Sequence, residues 1–232
     1  PADSCQVILR LFGGITLALL QIILELLKGL GVSVEIFAIT LLFSLPLGLL
    51  VAFGRMSKNG VVSGLTKAYI SIMRGTPLML QLFVVYYGPY YLCHIKLSPT
   101  YRNSAVYIGF IINYAAYFAE IYRSGIQSMP VGQYEAADIL GYTRVQSFFR
   151  IILPQVLKRI VPCVTNEVIT PFRDTSHALS ISVMVMFTKA KALSSSQTSM
   201  TPLIVAGVFY YVFNFIVAFL MERIEKKMNY YK

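Results

Sequence analysis

Glu167 and Asp174 are two carboxylates beside apolar sequence, and Asn166, Arg173 and His177 stand close to them along the chain. Read as continuous helix, their spacing of seven residues places both acids on one face, about two turns apart. Ionisable groups at membrane depth are costly and by default mark a pathway, an ion pair or a cavity. Carboxylates grouped in this way suit an ammonium group or a cationic side chain, with Asn166, Gln81 and Thr76 as hydrogen-bonding partners. The plain alternative is that Arg173 neutralises Asp174 or Glu167 and the cluster only holds helices together. His177 reads either as a ligand contact or as a packed polar residue. Glu120 and Arg123, three residues apart, form an intrahelical ion pair in the simplest reading. Tyr86, Tyr87, Tyr90 and Tyr91 read first as an interfacial aromatic belt and second as a stacking surface.

The elements that position these residues must be membrane helices. The chain of 232 residues is 56% hydrophobic and only 13% charged, against about 25% charged in soluble domains, and its mean hydropathy is +0.66. Several apolar stretches approach the roughly 20 residues needed to span a bilayer as helix, and the alternating pattern of a membrane barrel is absent. The fold class is therefore all-α. The net charge of +10 comes from basic residues in short loops and in the tail MERIEKKMNYYK, as expected of cytoplasmic segments rather than of a nucleic-acid binder. Cys5, Cys93 and Cys163 have no metal-binding or disulfide spacing. No metal or cofactor is expected on the chain.

Five spans are expected, at 31–53, at 69–92 with a break at Arg74-Gly75-Thr76-Pro77, at 104–122, from Ile160 to about Pro171, and at 203–221. Pro171 is expected to break the fourth, and the path beyond Arg173 is hard to read. Residues 7–27 carry a small and polar stripe of Gly14, Ala18, Gln21, Glu25 and Lys28, which favours an interfacial or peripheral helix, with a sixth span as the alternative. The domains so drawn are a peripheral or extra helix at 1–28, a transmembrane region at 29–222 and a basic cytoplasmic tail at 223–232. Five spans with the tail inside put the N-terminus outside. The start PADSC, without Met, reads as a point inside a longer or processed product, which leaves room for a fused domain ahead of it.

One segment is out of keeping with the rest. EAADILGYTRVQSFFRIILP, residues 135–154 within a polar stretch of about 130–154, is compact and interrupted by Gly141. Pro130 opens a helix, Gly141 closes it, Thr143 caps a second helix, and Pro154 bends the chain into the membrane. Glu135 suits the positive end of the first helix, and the small pair Ala136-Ala137 offers a face that another protein can approach closely. An amphipathic loop lying on lipid is the bland alternative.

The spacing Glu-Ala-Ala, three residues, Gly, nine residues, Ile-x-Leu-Pro resembles the EAA signature of the membrane subunits of ATP-binding-cassette importers. The resemblance is closest to the polar amino-acid permeases, of the histidine, glutamine and arginine type. It is carried by LLKGLGVSVEIFAITLLFSLPLG at 26–48, MRGTPLMLQLFVVYYG at 73–88, YFAEIYRSGIQSMPVGQYEAADILG at 117–141, ILPQ at 152–155 and NEVITPFRDTS at 166–176. It implies a type I importer core of five helices in a bacterial cytoplasmic membrane, a translocation pathway for polar or charged amino acids, and an EAA helix seated in a cleft of a partner ATPase. Glu135, Ala136, Ala137 and Gly141 are the coupling residues so implied. Relatives of this kind have Leu where this chain has His177, which puts any inherited specificity in doubt. The implied partners are an ATPase dimer carrying ATP and Mg, a second permease copy or paralogue, and an extracytoplasmic or fused substrate-binding protein. The chain has no GxxxxGK[ST] loop to cradle a nucleotide itself, so no catalysis is expected of it. An ion-coupled secondary transporter or channel is the rival reading, and a non-transporting membrane scaffold a second one.

Overall fold

The computed structural model describes residues 2–96, 98 and 100–228, with the backbone course alone for residues 2–18. Among the described residues the secondary structure is helical throughout. The helices are α1 (Ala2–Arg55), α2 (Gly60–Gly75), α3 (Leu78–Cys93), α4 (Tyr101–Gln127), α5 (Val131–Ile139), α6 (Arg144–Ser147), α7 (Leu153–Asp174), α8 (Met186–Gln197) and α9 (Thr201–Met228). A π-helical stretch, Phe148–Ile152, joins α6 to α7, and a 3₁₀ stretch, Thr175–Ile181, follows α7.

The helix α4 forms the centre. Its Phe110, Tyr114 and Phe118 are buried against α1, α3 and α7, together with Ile36, Leu82 and Val168. Small residues on the same helix, Ala115, Ala116 and Ala119, are also buried, which lets neighbouring helices approach closely. By contrast α9 turns Val208, Tyr211, Phe215 and Phe219 outward, as a helix in contact with lipid does.

Among the described residues three helices are long and apolar enough to cross a membrane: Leu19–Arg55 within α1, α4 and α9. The pair α2–α3 makes a fourth if counted as one broken span, because the two axes meet at 113°. The fifth expected span, α7, falls short in apolarity rather than length. Its 22 residues rise about 33 Å, but Asn166, Glu167 and Arg173 interrupt its surface while Val156, Ile160, Thr165, Val168 and Phe172 face the core. A helix that lines a polar cavity carries this mixed pattern.

Two expectations need correction. The boundary drawn at residue 28 does not coincide with a helix end, since α1 runs unbroken from Ala2 to Arg55. Gly29 and Gly31 look like a helix end but are not one. A Cβ on Gly29 would stand 2.7 Å from Met186 Cα, so the glycine marks the place where α8 packs against α1. Ser33 completes this contact by accepting a hydrogen bond from the Met186 amide at 3.2 Å. Of the stripe read in that segment, Gly14 and Ala18 lie outside the residues whose side chains are described. Pro171, in turn, lies inside α7 and does not end it. Its missing N–H loosens the last turn, and the backbone tightens to 3₁₀ geometry only from Thr175.

Candidate functional site

The break at Thr76-Pro77 brings the start of α3 beside α4 and α7. There, Thr76, Pro77 and Met79 meet Asn113, Tyr114 and Tyr117 of α4, with Glu167, Thr170 and Asp174 of α7 and His177 just beyond, around a cavity of about 350 Å³. Its two carboxylates are held differently. Asp174 accepts a hydrogen bond from the buried Tyr114 hydroxyl at 2.7 Å, and Arg173 Nε stands 3.8 Å from its other oxygen. Glu167 is half-buried, and no hydrogen bond or ion pair is seen for it among the described residues. Arg74 lies 5.4 Å from the centre of the Tyr117 ring, which sets a positive charge next to the same wall.

Of the residues expected at a site, Thr76, Glu167, Asp174 and His177 line this cavity. Asn166 is exposed and outside it, as is the Arg173 side chain, which is 71% exposed. Gln81 is buried and acts as a brace. Its Nε2 donates to the carbonyls of Met73 and Thr76 at 2.9 and 3.1 Å and to Thr76 Oγ1 at 2.9 Å, while its Oε1 accepts from Asn113 Nδ2 at 2.9 Å. Those bonds satisfy backbone groups freed where α2 stops and α3 begins, which a membrane interior requires. Asn113, Tyr114 and Tyr117 were not singled out from sequence. The signal for Asn113 was a polar amide in the middle of an apolar span. The Glu120–Arg123 pair forms as expected, with Arg123 Nε 3.2 and 3.1 Å from the two carboxylate oxygens. Tyr86 packs inside and stacks on Tyr101, while Tyr87, Tyr90 and Tyr91 are exposed.

The polar segment is built by local rules that the sequence announced. Gly141 adopts φ +76°, and the amides of Gly141 and Tyr142 donate to the carbonyls of Asp138 and Ala137 at 3.0 and 3.1 Å, the paired bonds that close a helix through a left-handed residue. Thr143 and Gln146 exchange side-chain-to-backbone bonds at 3.0 and 3.3 Å, a full capping box at the start of α6. From there the chain stays helical through the π stretch to Asp174, so Pro154 bends nothing sharply and sits in the first turn of α7. Met129, Ile152, Val156 and Ile160 form a small apolar cluster behind α5.

Glu135 and Ala136 are exposed, whereas Ala137 is 1% exposed and packs inward. The two alanines therefore do not share one outer face. The outer surface is extended instead by Ile139, which is 85% exposed, and by Leu140, Val145 and Phe149. A run of uncovered apolar side chains of this kind marks an interaction surface. Burial pushes the Tyr134 phenol above its ordinary range, so this ring stays neutral where it enters the body of the protein.

Comparison with known proteins agrees with the geometry. Residues 44–230 match the family described as "Binding-protein-dependent transport system inner membrane component". The chain is 38% identical over 207 residues to the L-cystine transport system permease protein TcyL of Bacillus subtilis (strain 168), covering 86% of this chain and 85% of that protein. It is 32% identical over 207 residues to the putative glutamine transport system permease protein GlnP of Rickettsia bellii (strain RML369-C), covering 89% and 94%. A crystal structure of an amino acid ABC transporter with histidines superposes with a TM-score of 0.82 at 27% identity, covering 91% of this chain and 97% of that one. The all-helical architecture is thus that of a type I importer permease, and the chain belongs to the family of binding-protein-dependent transport system inner membrane components.

Proposed function

We propose that this chain forms the translocation pathway of an ATP-binding-cassette importer for polar or charged amino acids, with the α3–α4–α7 cavity as its substrate site. The observation that carries the reading is Glu167, a half-buried carboxylate without a hydrogen bond or ion pair among the described residues, in a cavity whose other acid is already held by Tyr114. An unpaired acid at that depth favours a cationic partner, and a free amino acid brings an ammonium group. The relatives compared above are named as permeases of glutamine and cystine transport systems, which supports an amino acid as cargo.

ATP and Mg belong to a pair of partner ATPase subunits, whose closure pushes on Glu135, Ala136 and the apolar residues around Gly141. The path from there to the cavity is short. The 14 helical steps from Leu153 to Glu167 rise about 21 Å along one helix, so a displacement of α5 and α6 is passed on through α7. A second copy of the chain or a paralogue completes the wall of the pathway, and a binding protein delivers substrate outside. The balance of charge supports cytoplasmic loops and tail in a bacterial cell: Arg55, Lys58, Lys67, Arg123, Arg144, Arg150, Lys158 and Arg159 are on the inner side in this reading, with Lys96 and Arg102 on the outer. The N-terminus is then outside and the C-terminus cytoplasmic.

The test is reconstitution into liposomes with candidate ATPases and binding protein. ATP-dependent uptake and substrate-stimulated hydrolysis are expected. Uptake by the chain alone, driven by an ion gradient, would sink the proposal in favour of a secondary transporter.

A further inference from the structure

A second cavity, of about 400 Å³, lies between the α5–α6 turn and the ends of two membrane helices. Phe53 and Met56 at the end of α1 and Ile126 at the end of α4 form its apolar side, and Phe148 meets Phe53 edge to face at 5.6 Å between ring centres. Its polar side carries Asp138, Arg144 and Ser147. Ser147 is 4% exposed, and its hydroxyl has no hydrogen-bond partner among the described residues. Buried hydroxyls are ordinarily paired, so an orphan beside a cavity points to something absent that pairs with it. Asp138 and Arg144 stand on either side of the Gly141 break, and neither forms an ion pair with the other or with any described residue.

We propose that this cavity is a binding site for a small zwitterion, of the class of free α-amino acids. An unpaired guanidinium recognises a carboxylate through two parallel N–H donors, an unpaired carboxylate receives an ammonium group, and the Ser147 hydroxyl supplies the remaining polar contact. The aromatic and aliphatic side holds the amino acid's side chain, and the volume is within the roughly 300–1,000 Å³ of small-molecule sites. Because Asp138 and Arg144 belong to the polar segment while Phe53, Met56 and Ile126 belong to the spans, an occupant ties the two together. Its consequence for transport rests on the reading of α5 as the ATPase contact: accumulated amino acid on that side restrains the segment and slows hydrolysis.

The experiment uses the chain assembled with its ATPase partners in lipid nanodiscs and measures binding of radiolabelled L-glutamine and L-arginine by equilibrium dialysis. The assembly carries Glu167→Gln and Asp174→Asn, so that the membrane cavity lacks both carboxylates. Saturable binding of at least one of the two amino acids, one site per chain, is expected to remain in that background. Asp138→Asn or Arg144→Gln should weaken it at least tenfold, with partial recovery in Arg144→Lys. Both residues are exposed, so their replacement leaves the packed core alone. No saturable binding of either amino acid in the background, or binding indifferent to Asp138 and Arg144, overturns the proposal. So does loss of ATPase association in Arg144→Gln with amino-acid binding unchanged, which would mean that an ATPase side chain fills the cavity. A failure of the membrane cavity as substrate site reads out separately, as binding stoichiometry unaltered between the wild type and the Glu167→Gln, Asp174→Asn background.

Discussion

Replacing Gln81 with leucine should destabilise the protein without altering how it meets substrate. The substitution removes the donor shared by the Met73 and Thr76 carbonyls and Thr76 Oγ1, and the acceptor used by Asn113 Nδ2. Not all of those groups are stranded. Asn113 keeps its bond to the Met73 carbonyl at 3.2 Å, and Thr76 Oγ1 keeps its own donation to the Ile72 carbonyl at 2.8 Å. The Thr76 carbonyl and one Asn113 proton are left without their partner. With about 0.6–1.7 kcal/mol per hydrogen bond between membrane helices and about 1–3 kcal/mol for an orphaned buried group, the loss is about 2 kcal/mol. Asn113→Leu should cost a similar amount, and the double variant should fall short of the sum by about 1 kcal/mol because the shared bond is removed once. Denaturant unfolding of the purified chain in micelles reads the stabilities, and liposome uptake reads KM. Additivity to within about 0.3 kcal/mol, or a raised KM at unchanged stability in Gln81→Leu, would refute the bracing role.

Other outcomes follow from the same geometry. Glu167→Gln should weaken amino-acid binding to the reconstituted importer by roughly 10- to 100-fold, the worth of a charged hydrogen bond, whereas Tyr114→Phe, which removes only the hydroxyl that donates to Asp174, should have a smaller effect; equal effects in a binding titration would count against Glu167 as the primary contact. Gly141→Ala places a Cβ at φ +76°, a strain of about 1–2 kcal/mol, and should lower substrate-stimulated ATP hydrolysis while leaving substrate binding intact. Gly29→Leu forces apart α1 and α8 and should destabilise by about 1–3 kcal/mol, while Gly31→Ala, which faces open space, should be neutral or slightly stabilising; thermal unfolding of the two variants side by side checks the pair.

Much of the polar segment was legible because its signals are local. Pro130, Gly141 and Thr143 act on their own turn of backbone, and each does in the structure what its chemistry dictates. Thr76-Pro77 was readable for the same reason, and so were Glu167 and Asp174, since charge in an apolar chain is conspicuous. Gln81 and Asn113 were not separable from ligand contacts by sequence, because whether a buried amide serves a substrate or a helix break depends on which carbonyls lie within 3 Å of it. The role of Gly29 in LLKGLG was out of reach for a related reason. A glycine that ends a helix and a glycine that admits a neighbouring helix look alike until the neighbour, here Met186, is placed.

Helix α1 touches two distant parts of the molecule. Near the start of its apolar stretch, Ile22, Leu26 and Gly29 pack against α8, and near its other end Phe53 meets Phe148 beside the α5–α6 turn. The 37 residues from Leu19 to Arg55 amount to a rod of about 55 Å. A rigid tilt of about 5° around its midpoint would carry the two ends roughly 2 Å in opposite directions, less whatever bend Pro46 absorbs. The contact with α8 and the contact beside the α5–α6 turn are thereby linked through backbone rise along one helix, independently of anything in the cavity between them.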